Sequence, residues 1–186
     1  MNHPHDEPTP AAPVQRILAA AMFAAEKHAT QKRKGAAGEP YVNHLIEVAQ
    51  LTAGSSEHLD ADLVMAAFLH DTIEDTGTTA AELEAAFGSD IAALVVEVSD
   101  DQSLPKEVRK ELQVQTAPQK SARAQILKLA DKISNLRSML ASPPATWSPE
   151  RRRQYVSWAR RVVDALSAPN PILKAEFERT YAKFAG

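Results

Sequence analysis

The sequence contains no cysteine among its 186 residues. This absence excludes disulfide bonds, thiolate zinc sites and thiol nucleophiles, so a metal site would have to use His, Asp or Glu side chains. The chain also lacks an apolar run long enough to cross a bilayer, and its first residues lack the apolar centre of a signal peptide. We therefore expect a cytoplasmic protein that does not insert into a membrane.

No large excess of one charge is present either. Charged residues make up 24% of the chain, and the net charge is −3. This balance argues against nucleic acid or a membrane surface as a partner, because both are usually bound by a broad basic surface. A small anionic ligand remains open, since a local basic patch is enough to hold one. A homodimer also remains open.

The length and a hydrophobic content of 44% predict one domain with its own core. Residues 1–13 are rich in proline and polar residues, so we expect a disordered tail followed by a folded domain over residues 14–186. His3, His5 and Asp6 in this tail could hold a metal loosely. Tail residues with no fold behind them are the preferred interpretation.

The apolar spacing predicts helix after helix and no strand, so the expected fold class is all-α. Asp60, Ser148 and Asn170 have the character of N-caps, and residues 121–140 form one long predicted helix. Residues 89–101 are predicted to be helical from their helical flanks, despite β-branched residues. The first predicted helix has an apolar face that we expect to be buried: Val14, Ile17, Leu18, Ala21, Met22 and Ala25.

The stretch FLHDTIEDTG, residues 68–77, places His70, Asp71, Glu74 and Asp75 directly after an apolar run. Polar groups entering a core are costly unless they are paired or bind a metal. One interpretation is a divalent metal site at the helix end, since imidazole and carboxylate are suitable ligands. The alternative is a solvated helix end, but acidic residues near a helix C-terminus oppose the helix dipole.

Two further polar residues interrupt apolar helices. His44 shares a helix face with Val48, and taken alone it is better explained as a core histidine with satisfied hydrogen bonds. Asp131 interrupts ILKLADKISNL and needs a buried partner, with Asn135 one turn further on the same face. Taken together with His70, these residues favour a shared metal over three unrelated buried polar groups.

The ordered series EPYVNH, FLHDTIEDT and KLADKISNLR resembles the HD-domain hydrolases of the RelA/SpoT group. It is most similar to their stand-alone small alarmone hydrolases of the MESH1 type. The similarity covers roughly residues 14–185 and includes LPKEVRK and WSPERRRQYVSWA. It implies a single helical bundle of the HD type.

The resemblance also implies roles for individual residues. The family's metal ligands, which usually hold Mn²⁺ although another divalent metal would suit, correspond to His44, His70, Asp71 and Asp131. The acidic pair that orients or deprotonates the attacking water corresponds to Glu74 and Asp75. The family's substrate contacts correspond to Arg33, Lys34, Asn135 and Tyr155. Lys106 and Arg109 are further candidates for holding pyrophosphate, although a solvated surface explains them equally simply.

The implied activity is hydrolysis of guanosine tetra- or pentaphosphate to GDP or GTP plus pyrophosphate, without a synthetase function. Alternatives are a related nucleotide phosphohydrolase, such as an NADPH 2′-phosphatase, and a non-catalytic module that binds the alarmone. Ser134 departs from the family, whose members often have an aromatic residue or His there. We expect this change to alter the wall of the substrate pocket.

Overall fold

The computed structural model describes residues 12–184. Over this range it contains ten α-helices: α1 (Pro13–Lys27), α2 (Val42–Ala53), α3 (Ala61–Leu69), α4 (Thr72–Thr76), α5 (Ala80–Phe87), α6 (Ser89–Val98), α7 (Lys106–Thr116), α8 (Ala122–Ala141), α9 (Pro149–Asp164) and α10 (Pro171–Ala182). A 3₁₀ turn, Ala117–Gln119, joins α7 to α8. Between residues 12 and 184 the only β-type pairing is one isolated bridge from Lys32 to Pro40. The all-α prediction is confirmed.

None of the helices in residues 12–184 is long and apolar enough to cross a membrane. Residues 1–11, 185 and 186 fall outside the described part, so the predicted disorder of the tail stays a prediction there. The same holds for the loose metal site at His3, His5 and Asp6. Helix α1 begins at Pro13, one residue before the predicted start of the domain.

Several helices begin at the predicted capping residues. The side chain of Asp60 accepts a hydrogen bond from the amide of Leu63 at 3.1 Å. Ser148 does the same for the amide of Arg151 at 3.1 Å, and Asn170 caps α10. These contacts satisfy amide groups that have no partner within the first turn of a helix. The segment with β-branched residues forms α6, as predicted.

The apolar face predicted for α1 is buried only in part, since Ile17 packs against the core but its largest neighbours do not. Val14 and Leu18 are each 62% exposed and Met22 is 66% exposed, whereas Ala20 and Ala24 are fully buried. Helix α1 packs chiefly against α3. Alanines at this contact let the two helix backbones approach closely, so the larger apolar residues lie on the outer side.

Helix α8 runs through the core and carries one polar stripe. Its residues Leu129, Ile133 and Leu136 are completely buried, and α2, α6 and α10 pack around it. Asp131 and Asn135 lie one turn apart on the side of α8 that borders a cavity. The core therefore fixes the positions of these two polar side chains.

The loop that joins α1 to α2 packs against the C-terminal end of α8. The amide of Ala37 donates a hydrogen bond to Oγ of Ser142 at 2.9 Å. Gly35 lies so close that a Cβ there would overlap the carbonyl oxygen of Ser142. This contact positions the basic residues Arg33 and Lys34 beside the same cavity.

Candidate metal centre and active site

The four predicted metal ligands converge from three parts of the chain. His44 lies in the first turn of α2, Asp131 lies in the middle of α8, and His70 and Asp71 form the junction between α3 and α4. Nε2 of His44 is 3.4 Å from Oδ2 of Asp71 and 3.4 Å from Oδ1 of Asp131. Nε2 of His70 is 3.0 Å from Oδ2 of Asp71. Two imidazoles and two carboxylates therefore share one small volume.

The ring nitrogens that face this volume are available to a metal. Nε2 of His44 and Nε2 of His70 are buried, and within residues 12–184 neither makes a well-aligned hydrogen bond. Nδ1 of His70 lies 2.8 Å from the carbonyl oxygen of Ala67, which can only accept, so Nδ1 carries a proton and Nε2 offers a lone pair whenever the ring is neutral. Ligand atoms of His44, His70 and Asp131 all lie within 4.8 Å of one another. This donor set fits a divalent cation.

The electrostatics of the site also favour a cation. Burial by itself would raise the pKa of Asp71, but the charge of His70 and the nearby Nε2 atoms of both histidines hold it well below its usual value. Burial is likewise outweighed at Asp131, where the ammonium of Lys132 at 2.9 Å keeps the pKa low. Burial opposes a charge on His70, yet Asp71 raises the pKa of His70 to about 9. Protons and metal ions would therefore compete for the same nitrogen.

Neighbouring side chains hold the carboxylates in place. The hydroxyl of Tyr41 donates to Oδ2 of Asp71 at 2.6 Å, and Nδ2 of Asn135 donates to Oδ1 of Asp131 at 2.5 Å. Such contacts restrict a ligand to one orientation. Ser134 lies behind His44, with Oγ 2.9 Å from Nδ1, and not in the wall of the main cavity. The expectation that Ser134 shapes that wall is therefore wrong.

The predicted acidic pair borders the same cavity. Glu74 accepts hydrogen bonds from the amide of Asp100 at 2.7 Å and from Nε2 of Gln102 at 2.9 Å. Burial raises the pKa of Glu74 to about 7, so both of its protonation states are accessible near neutrality. Asp75 accepts a hydrogen bond from Nε2 of Gln31 at 2.7 Å. Glu74 therefore has the protonation behaviour of a general base.

The cavity has a volume of about 400 Å³, within the range of small-molecule sites. Besides His70, Asp71 and Asp131, it is lined by four of the predicted substrate contacts: Arg33, Lys34, Asn135 and Tyr155. The guanidinium of Arg33 donates to Oδ1 of Asn135 at 3.0 Å and lies over the ring of Tyr41. The basic loop and the acidic metal centre thus border the same cavity.

Lys106 and Arg109 do not line this cavity; they lie in the first turn of α7. Burial and the nearby cations Arg151, Lys110 and Lys34 lower the pKa of Lys106. Lys106 therefore belongs to a cationic group that includes the cavity-lining Lys34. Arg109 instead donates a hydrogen bond to Gln102, the residue that contacts Glu74.

Sequence reasoning missed two buried lysines and two tryptophans in the cavity wall. Lys128 and Lys132 are 8% and 3% exposed and line the cavity with Trp147 and Trp158. Nζ of Lys132 lies 4.5 Å above the ring of Trp158, a favourable cation–π geometry. The signal was present in ILKLADKISNL, where both lysines repeat at helical spacing with Asp131.

Comparison with known proteins agrees with this geometry. The sequence profile of the HD domain family matches residues 20–162, a range that includes the four candidate ligands. The chain belongs to the HD-domain family. A relative from Xenopus tropicalis, named guanosine-3′,5′-bis(diphosphate) 3′-pyrophosphohydrolase MESH1, is 44% identical over 165 residues, which cover 89% of this chain and 92% of the relative. The human protein of that name is 44% identical over 166 residues, covering 89% of this chain and 93% of the relative.

Solved structures place the HD domain in the same group. One, described as a metazoan ortholog of SpoT that hydrolyzes ppGpp, matches with a TM-score of 0.88 and 39% identity, over 96% of this chain and 98% of that one. A protein from Listeria monocytogenes matches with a TM-score of 0.65 and 25% identity, over 80% of this chain and 98% of that one. The resemblance to MESH1-type HD domains is thus confirmed in sequence and in fold.

Proposed function

We propose that this HD domain is a metal-dependent hydrolase that converts guanosine 3′,5′-bis(diphosphate), or its pentaphosphate analogue, into GDP or GTP plus pyrophosphate. The observation that carries the proposal is the pair of buried Nε2 atoms, unpaired among the described residues, that face two ionised carboxylates beside a 400 Å³ cavity. Relatives named for this reaction align over most of the chain. The proposed ion is Mn²⁺ and the proposed location is the cytoplasm.

The proposed ligands are His44, His70, Asp71 and Asp131. A divalent ion held by them supplies Lewis acidity, which makes water a usable nucleophile near neutral pH and polarises a phosphoryl oxygen. Glu74 accepts the proton that the attacking water loses. The hydroxyl joins the phosphorus attached to the ribose 3′ oxygen, the bond between that phosphorus and the 3′ oxygen breaks, and the oxygen takes up the proton that Glu74 accepted. Asp75, held by Gln31, orients the water.

The substrate is held by other residues that line the same cavity. Arg33 and Lys34 bind phosphate oxygens, because guanidinium and ammonium groups form charge-assisted hydrogen bonds with them. Asn135 contacts the ribose and phosphate, while Tyr155 contacts the nucleotide from α9. Burial raises the pKa of Tyr155 to about 12, so its hydroxyl remains a hydrogen-bond donor at neutral pH. Lys106 and Arg109 do not line the cavity and are proposed to hold pyrophosphate at its edge, where Lys106 lies near Lys34.

A nucleotide panel tests the proposal. The purified chain is incubated with Mn²⁺ and either guanosine tetraphosphate or NADPH, and the phosphorus products are identified by ³¹P NMR. We expect pyrophosphate from guanosine tetraphosphate. Orthophosphate from NADPH with no pyrophosphate from the alarmone would instead support the 2′-phosphatase. Binding of the alarmone without turnover under any divalent metal would support the non-catalytic module.

A further inference from the structure

A chain of hydrogen bonds leads from His44 away from the cavity. Nδ1 of His44 lies 2.9 Å from Oγ of Ser134, which donates to Oε2 of Glu47 at 2.7 Å. The other carboxylate oxygen of Glu47 accepts from Arg137 at 2.8 Å, and Arg137 also donates to Glu176 at 2.6 Å. This series of hydrogen bonds thus connects helices α2, α8 and α10.

The direction of these hydrogen bonds decides which ring nitrogen of His44 carries the proton. The hydroxyl of Ser134 has a single hydrogen, and the carboxylate of Glu47 can only accept, so that hydrogen points to Glu47. Oγ of Ser134 must then accept from Nδ1–H of His44. A neutral His44 with its proton on Nδ1 has its lone pair on Nε2, the atom that faces Asp71 and Asp131.

The two histidines differ in the group that accepts the hydrogen bond from Nδ1. His70 donates to the backbone carbonyl of Ala67, a contact that does not depend on any partner side chain. His44 depends on Ser134, whose side chain is completely buried, and Glu47 sets the direction of the Ser134 hydroxyl. Glu47 is 30% exposed and borders a separate cavity of about 210 Å³, where water can reach its neighbours.

We infer that Ser134 and Glu47 are positioning residues of the metal centre: together they fix His44 with its proton on Nδ1 and its Nε2 lone pair directed at the ion. The inference rests on the metal site of the proposed function and not on the identity of the nucleotide. A histidine ligand needs its second nitrogen held in this way, and losing such a contact commonly costs ~10–100-fold in metal affinity.

The test is the dissociation constant for Mn²⁺, measured by isothermal titration calorimetry on the full chain without nucleotide. Ser134→Ala should weaken binding ~10–100-fold. Glu47→Ala should weaken it less, because removing the Glu47 side chain lets water from the second cavity take its place beside the Ser134 hydroxyl. The double variant should bind no more weakly than Ser134→Ala alone, because both residues act through one path. Glu47→Gln should restore binding, since an amide oxygen can also accept from Ser134.

Ser55→Ala is the matched control. Ser55 is a buried serine just after α2 whose Oγ donates to the carbonyl oxygen of Thr52, so this variant should bind Mn²⁺ like the parent. The inference is overturned if Ser134→Ala binds Mn²⁺ within about twofold of the parent, or if the two single effects add in the double variant. If Ser134→Ala does not fold, Glu47→Ala and Glu47→Gln decide: equal affinities in the two would refute the inference. A parent that binds Mn²⁺ but releases no pyrophosphate refutes the proposed function alone.

Discussion

Asp131 and Lys132 are adjacent on α8 and contribute opposite charges to one site. Nζ of Lys132 lies 2.9 Å from Oδ2 of Asp131, while Oδ1 of Asp131 faces His44 at 3.4 Å. Oδ2 is thus compensated by the ammonium group, whereas Oδ1, which also accepts a hydrogen bond from Asn135, faces the candidate metal site. Removing the carboxylate would leave Lys132 as an unpaired charge beside the metal site, which adds repulsion to the loss of a ligand.

Asp131→Ala should therefore lower the affinity for Mn²⁺ by more than the ~10–100-fold associated with a lost positioning contact. Turnover should disappear with the metal. Calorimetric titration with Mn²⁺ checks the first expectation, and pyrophosphate release checks the second. Asp164→Ala, which removes a largely exposed aspartate paired with Arg160 and Lys174, is the control and should bind like the parent. Full metal binding by Asp131→Ala would refute the ligand assignment.

The raised pKa of Glu74 predicts how the rate of hydrolysis depends on pH. Burial raises this pKa to about 7, and only the deprotonated carboxylate can accept a proton. As the pH falls below 7, the active form is lost, so the rate at saturating Mn²⁺ and substrate should fall about tenfold per pH unit. Glu74→Gln should lose roughly 10²–10⁴-fold in rate and also lose this pH dependence, while retaining Mn²⁺. An inflection near pH 7 that persists in Glu74→Gln would assign the base to another group.

At the scale of helices and loops, the sequence predicts whatever depends on near neighbours. The caps at Asp60, Ser148 and Asn170 depend on residues two or three positions away, so they can be predicted from the sequence. The buried face of α1 depends on α3 and not on α1 itself. The spacing of apolar residues predicts an apolar face on α1, but the face that is buried against α3 is the one with Ala20 and Ala24.

The loop between α1 and α2 is expected to be sensitive to the size of one residue. Gly35→Ala should push the loop away from Ser142, because the added Cβ would overlap the carbonyl oxygen of that residue. Arg33 and Lys34 would then shift from the cavity, so we expect KM for guanosine tetraphosphate to rise several-fold, about 1 kcal/mol of lost binding. Affinity for Mn²⁺ should stay unchanged, since no proposed ligand lies in this loop.

Gly54→Ala is the matched control for the loop. Gly54 ends α2 with φ −82°, and a Cβ there meets nothing closer than 3.5 Å, so alanine is accommodated. Steady-state kinetics of both variants with calorimetric Mn²⁺ titration separates the two effects. Unchanged KM in Gly35→Ala would show that the loop does not position the substrate cations.

At the scale of the whole molecule, the site is assembled from segments far apart in sequence. His70, Asp71 and Asp131 are unusual for their local patterns, but the full ligand set with His44 was implied only by the resemblance to the HD-domain hydrolases. The lysines Lys128 and Lys132 repeat at helical spacing with Asp131, yet lysine in a helix is normally a surface residue, so the pattern did not predict their burial. Only the packing of α8 against α9 places the ammonium group of Lys132 over the ring of Trp158. The same long-range packing placed Ser134 behind His44, where the departure from the family had suggested a change in the pocket wall.

The central claim is that one ion held by His44, His70, Asp71 and Asp131 enables hydrolysis of the 3′-diphosphate. Its most direct test measures pyrophosphate release from guanosine tetraphosphate while Mn²⁺ is removed by a chelator and then titrated back. We predict that release stops on removal and returns in proportion to the occupancy of one site per chain, with one pyrophosphate formed per nucleotide consumed. Undiminished release after complete removal of the metal, or orthophosphate as the first product, would contradict the claim.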